Sequence, residues 1–169
     1  EDPGWNKEEV EAMREKINVV AAALPPTGTC FGRKEELDPI YWLLCAAYGW
    51  GGLPRQDSTY AAGVAEKNDG KTPYTQTVKD VPVDAFWSVT VYDDKGMFIV
   101  NEQNADSYNS VTAKRNGDGS VTIHFGGDPG QDNFLPIAPG WNYIVRMYRP
   151  RKEILDGTWK FLLPEPVTQ

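Results

Sequence analysis

Three stretches of this chain alternate apolar and polar residues with a period of two, the signature of strands with one buried face. In the run ending at Tyr92, Trp87, Val89 and Val91 share one face and Ser88, Thr90 and Tyr92 the other. Over 120–125, Val121, Ile123 and Phe125 alternate with Ser120, Thr122 and His124. Over 143–148, Tyr143, Val145 and Met147 alternate with Ile144, Arg146 and Tyr148. Further strands are predicted over 58–65, 74–78, 97–101 and 111–115, and the three alternating runs extend to 85–92, 120–125 and 141–149. Asp93–Gly96 and Asn116–Gly119 separate them with turn chemistry, because Asn and Gly tolerate positive φ. Short strands punctuated in this way point to an all-β sandwich or barrel. Residues 126–140, rich in Gly, Pro and Asp, read as a long loop, and the tail after Asp156 as extended.

The first third has the helical period instead. Asn6 is a candidate cap with Glu9 three residues on, and Val10, Met13, Ile17, Val20, Ala21 and Leu24 recur on one face. Pro25 and Pro26 end this helix. Asp38 and Pro39 open a second one, Ile40–Ala47, that is apolar almost all round and is expected to be buried, within the chain or against another copy. Gly49, Gly51 and Gly52 stop it. The expected organisation is a helix and linker over 1–37, followed by a β-sandwich domain over 38–169, the whole forming one globular unit.

Composition narrows the function. The 169 residues carry a net charge of −7. A nucleic-acid partner is not expected, since phosphate binding needs a basic stripe. No apolar run is long enough to span a bilayer as a helix. The chain starts at Glu1, a slight pointer to processing and export. Cys30 and Cys45 are the only cysteines. They can form a disulfide or remain two buried thiols, and with one histidine they cannot make a thiolate-rich zinc site. The acidic turns lack the ligand spacing of a helix–loop–helix calcium site. No metal or other cofactor is expected. No Gly-x-Ser-x-Gly elbow is present, and any acyl-transfer triad would have to use His124.

The polar face of the three alternating strands carries the candidate site. Thr90, Tyr92, His124, Arg146 and Tyr148, with Ser88 and Thr122, would meet if their strands were neighbours. Arginine offers a planar donor fork for carboxylate or phosphate, and Tyr and His add donors and apolar walls. The competing expectation is a solvated or oligomer-facing sheet surface, with Arg146 paired to an internal carboxylate.

Several segments also occur in a telling order: Trp50–Pro54 followed by Tyr60, Asp69 and Gly70 with Tyr74, Val83–Asp93, Asn116–Ile123, Asn133–Pro136, Arg146–Pro150 and Leu155–Trp159. Over about residues 38–166 the chain resembles the bacterial domain of unknown function 1214, which often follows a domain of unknown function 1254. The resemblance implies a jelly-roll-like antiparallel β-sandwich with flanking helices. It implies no catalytic residues, since the family has no settled activity. Two departures are expected: the domain is read as standing without a 1254-type domain before it, and the usual Asn-Trp-Leu-Pro element has Phe134 in place of Trp. The first implies a stand-alone domain that covers its surface with the first helix or by self-association, so a homo-oligomer is expected. Three functions follow as expectations: a module binding a small polar or anionic ligand or a protein, an enzyme with His124 as acid–base and Arg146 as charge clamp, or a structural oligomer.

Overall fold

The structure, a computed structural model, describes residues 4–23, 30–49 and 51–167. The chain divides into two compact units, Glu1–Asp57 and Ser58–Gln169. The division falls later than the expected 37/38 boundary because the second helix packs on the first.

In the N-terminal unit, α1 spans Lys7–Ala22 and is capped by Asn6, whose side chain accepts from the Glu8 and Glu9 amides. The expected ending at Leu24, Pro25 and Pro26 lies outside the described residues. A 3₁₀ turn, Lys34–Glu36, precedes α2, Pro39–Gly49. Asp38 caps α2 by accepting from the amides of Ile40 and Tyr41, both at 2.9 Å. Of the two expected ways of burying α2, burial within the chain is not observed: Ile40, Trp42 and Leu43 are exposed, and among the described residues of this unit Cys45 is the only buried apolar side chain. One neighbouring helix covers one side of a helix, and the rest of the apolar surface stays outside. The cysteine question resolves as a disulfide, Cys30–Cys45, with Cα atoms 5.5 Å apart and a sequence separation of 15. Closing a loop of that size stabilises by about 3 kcal/mol in the chain-entropy model, a large contribution where so little apolar surface is buried.

The second unit is a two-sheet β-sandwich. Its strands are β1 Ser58–Gly63, β2 Tyr74–Val78, β3 Trp87–Tyr92, β4 Ser107–Asn109, β5 Val121–Phe125, β6 Phe134–Leu135, β7 Asn142–Tyr148 and β8 Glu165–Pro166, with a short helix, α3, over Lys152–Leu155. One sheet has the order β1-β7-β3-β4 and is antiparallel throughout. The other has the order β6-β5-β2-β8, and in it β6 runs parallel to β5, a departure from the expected all-antiparallel sandwich. The chain leaves β5 through Gly126 and Gly127, at φ +69° and +82°, and loops back to lie alongside it in the same direction.

The apolar sets of the three alternating runs face the core as predicted, but in β3 the polar Ser88 and Thr90 are buried as well, so that strand does not alternate in exposure. Trp87, Val89 and Val91, then Val121, Ile123 and Phe125, then Tyr143, Val145 and Met147 are all buried in one core. Phe125 stacks on Trp141 (5.3 Å between centroids) and tilts against Tyr143 (5.8 Å), joining the two sheets. Burial pushes the Tyr143 phenol above its ordinary value. The Gln76 amide donates to the Leu162 carbonyl and so holds the C-terminal tail on β2.

Two predicted strands, 97–101 and 111–115, are loops. Their backbone groups are taken by nearby side chains instead of a ladder. Asp93 Oδ1 accepts from the amides of Lys95 (2.9 Å) and Met97 (2.8 Å), and Asn109 Oδ1 from those of Val111 (2.8 Å) and Thr112 (2.9 Å).

Trp87 is 5% exposed and packs edge-on against Phe161. Its replacement by Ala should cost about 3–5 kcal/mol, the range for large aromatic deletions. Urea denaturation reads this directly, and an unchanged midpoint would contradict the assignment of the buried face.

Candidate functional site

β7 sits between β1 and β3, so its outward residues see both neighbours. In register, Arg146 lies opposite Ser88 of β3 and Tyr60 of β1, and Ile144 opposite Thr90. The half-buried Arg146 side chain leans along β3. Its Nη1 donates to Thr90 Oγ1 (3.1 Å) and its Nη2 to Tyr92 Oη (2.7 Å), with the guanidinium carbon 5.9 Å from the Tyr92 ring centroid. Thr90 Oγ1, which accepts from Arg146, also shares a hydrogen bond with Ser107 Oγ on β4 at 3.0 Å, in which either hydroxyl can donate. The sheet thus assembles Arg146, Tyr92, Thr90 and Ser107 into one hydrogen-bonded row.

The expected carboxylate partner is not there: among the described residues no Asp or Glu forms an ion pair with Arg146. Two of the five guanidinium N–H groups are used by the bonds to Thr90 and Tyr92. The remaining N–H groups and the Tyr92 hydroxyl proton are left to donate. Chemically this is a fixed positive charge with convergent donors, suited to a carboxylate or a similar oxyanion.

Two aromatic pairs flank the row. Tyr92 stacks on Phe98 (5.4 Å, 19° between planes), which the β3–β4 loop presents. Tyr148 stacks on Phe86 (4.4 Å, 24°). Tyr148 shares the face of Arg146 but sits toward Ser58, on the side away from Thr90 and Tyr92. It is therefore a neighbour of the row and not a member of it.

His124 is not brought to this place. It lies on β5 of the other sheet, paired with Thr75 and Phe134, and it alternates with the buried Ile123 and Phe125. Its side chain belongs to the outer face of that sheet, as does Thr122, which bonds Thr77 at 2.9 Å. The core separates His124 from Arg146, so the predicted acid–base and clamp pair has no common site. Ser107 and Phe98 were missed by the sequence reading: β4 is three residues without an apolar period, and Phe98 sits in a segment predicted as strand.

Comparison with known proteins fits this architecture. The family model described as "Protein of unknown function (DUF1214)" matches residues 58–152, more than half of the chain, and the chain belongs to that family. A crystal structure of the VPA0106 protein from Vibrio parahaemolyticus is similar to the chain with a TM-score of 0.71 at 24% identity, over 99% of this chain and 47% of that one. The chain thus spans about half the length of that protein, and the likeness is one of fold. A crystal structure of a putative uncharacterized protein from Burkholderia cenocepacia is more distant, with a TM-score of 0.48 at 21% identity over 66% of this chain and 30% of that one. No curated protein matches the chain.

Replacing Tyr92 by Phe keeps the ring against Phe98 and removes the acceptor for Arg146 Nη2. The expected loss is about 1 kcal/mol, below the roughly 1.5–3 kcal/mol of a buried bond to a charged group because the site is half-exposed. Chemical denaturation measures it, and a parallel His124→Ala variant should leave the Arg146 side-chain NMR resonances where they are.

Proposed function

We propose that this member of the DUF1214 family is a binding module that takes a small anionic ligand on the outer face of the β1-β7-β3-β4 sheet, anchored by Arg146. The observation that carries this reading is the guanidinium held by two neutral oxygens, Thr90 Oγ1 and Tyr92 Oη, with no ion-pair partner among the described residues. A purely structural arginine in an acidic protein would be expected to take one of the many available carboxylates. Thr90 and Tyr92 orient the fork, Ser107 orients Thr90, and the Tyr92 hydroxyl adds a neutral donor. Tyr148 supplies an aromatic wall beyond Ser88. An enzymatic role for His124 with Arg146 has no geometric support, because the two face outward from different sheets. The Cys30–Cys45 disulfide supports an oxidising, exported setting for the chain, where such bonds persist.

Thermal unfolding of the protein with and without a panel of carboxylates, phosphates and sugars tests the reading. At saturating concentration a carboxylate or phosphate should raise Tm, by mass action on the folded state. Arg146→Lys should fold normally and lose most of that shift, because an ammonium cannot reproduce the bidentate fork. A shift of equal size in the two proteins would remove Arg146 from the site.

A second reading, self-association through the N-terminal unit, is favoured by one observation: Trp5, Val19, Ile40 and Leu43 are all more than half exposed. Light scattering at micromolar concentration should then give a mass above the 18.9 kDa of one chain, and Ile40→Glu should return it to that value.

A further inference from the structure

The Arg146 row does not stand alone on its sheet: it runs into an aromatic platform that the core does not need. Phe98 stacks on Tyr92 yet remains 57% exposed, and Met97 and Val100 beside it are more exposed still. A loop that displays three apolar residues to solvent would ordinarily be a poorly ordered one. This loop is pinned by its own polar side chains. Asp93 Oδ1 accepts from the Lys95 and Met97 amides. The Asn101 amide donates to the carbonyls of Ile99 (2.8 Å) and Ala105 (3.0 Å), and its oxygen accepts from the Ala105 amide (3.0 Å). Asn142 of β7 donates to the Asp93 carbonyl at 2.8 Å, which ties the start of the loop to the strand that carries Arg146. The chain therefore fixes the position of Phe98 relative to the guanidinium while leaving Phe98 exposed.

Resting on the anion-binding reading above, we propose that the ligand is an aromatic carboxylate. Its carboxylate takes the unused N–H groups of Arg146 and the Tyr92 hydroxyl, and its ring lies against the exposed edge of Phe98. Charge complementarity selects the first half of the molecule, since a guanidinium beside neutral oxygens favours an anion over a neutral or cationic head. The stacked Tyr92–Phe98 pair selects the second. A further ring set against the exposed edge of Phe98 makes a T-shaped contact, with no side chain to reorder. A carboxylate attached directly to a ring fits this best, because Tyr92 belongs to both the donor row and the stack.

The test uses the full chain and four probes by isothermal titration: benzoate, cyclohexanecarboxylate, acetate and benzyl alcohol. Benzoate should bind most tightly, acetate at least tenfold more weakly, and benzyl alcohol not at all. Phe98→Ala, at a position 57% exposed, should weaken benzoate about threefold to tenfold and leave acetate unchanged. Arg146→Lys should weaken benzoate, cyclohexanecarboxylate and acetate together. If Phe98→Ala binds benzoate as the parent does, or if acetate matches benzoate, the aromatic platform is overturned while the anion anchor stands. If none of the three carboxylates binds the parent protein, the proposal and the anchor both fall.

Discussion

The second unit depends on the pairing of β7 with β1 on one side and β3 on the other. β7 alternates Tyr143, Val145 and Met147 inward with Ile144, Arg146 and Tyr148 outward. A slip of one residue against either neighbour would exchange those sets. The guanidinium of Arg146 would then enter a core formed by Phe125, Val89 and Ile123, where an unpaired charge costs several kcal/mol. Tyr143 and Met147 would come out into solvent. The charged residue therefore enforces the register as strongly as the apolar ones do. The same constraint sets Arg146 opposite Ser88 and within reach of Thr90 and Tyr92.

That constraint is also why so much of the sandwich was legible in the chain. A period-two pattern over β3, β5 and β7 determines which side chains face the core, and those assignments survive in the structure. β2 matches its predicted span, and the caps at Asn6 and Asp38 act as their residue types suggest. What the pattern does not encode is which strand neighbours which. β3, β5 and β7 look alike in sequence, yet β5 belongs to the other sheet, and this alone removes His124 from the company of Arg146. Short strands are invisible for a different reason: Ser107–Asn109, Phe134–Leu135 and Glu165–Pro166 are too brief to show any period. The converse error arose over 97–101, where apolar content suggested a strand but Asp93 and Asn101 satisfy the backbone locally.

Asn133 shows how a loop residue can organise a sheet. It is buried with φ at +55°, a conformation Asn tolerates better than most residues. Its side chain accepts from the Lys114 amide (2.7 Å) and donates to the carbonyls of Lys114 and Thr122 (both 2.9 Å). One side chain thus joins the segment before β5, β5 itself and the start of β6, and delivers β6 in parallel to β5. Phe134 follows it and is 7% exposed. A phenyl ring at a buried position carries no donor to satisfy, whereas an indole there would need a partner for its N–H. Phe134 is thus physically compatible with the packing of β6.

The charge balance of the whole chain limits how an anion can be held. With 24 acidic residues against 17 basic ones, the protein repels anions at a distance, and steering of the kind that accelerates association is not available to it. Several basic residues are already matched: Lys114 with Asp132 at 2.7 Å, Arg151 with Asp84 at 2.7 Å, and Lys152 with Asp156 at 2.6 Å. These exposed pairs contribute little each. An anion at Arg146 must therefore be held by contact: the directional bonds of a fixed guanidinium, the Tyr92 hydroxyl and the surface of neighbouring rings. Contact of that kind acts within hydrogen-bond and van der Waals distance, inside the roughly 8 Å over which physiological salt screens charge. Binding at this face should accordingly depend weakly on ionic strength and strongly on the shape of the group attached to the anion. If the proposed anion binding holds, selectivity would lie in the aromatic residues around Arg146 more than in the charge itself.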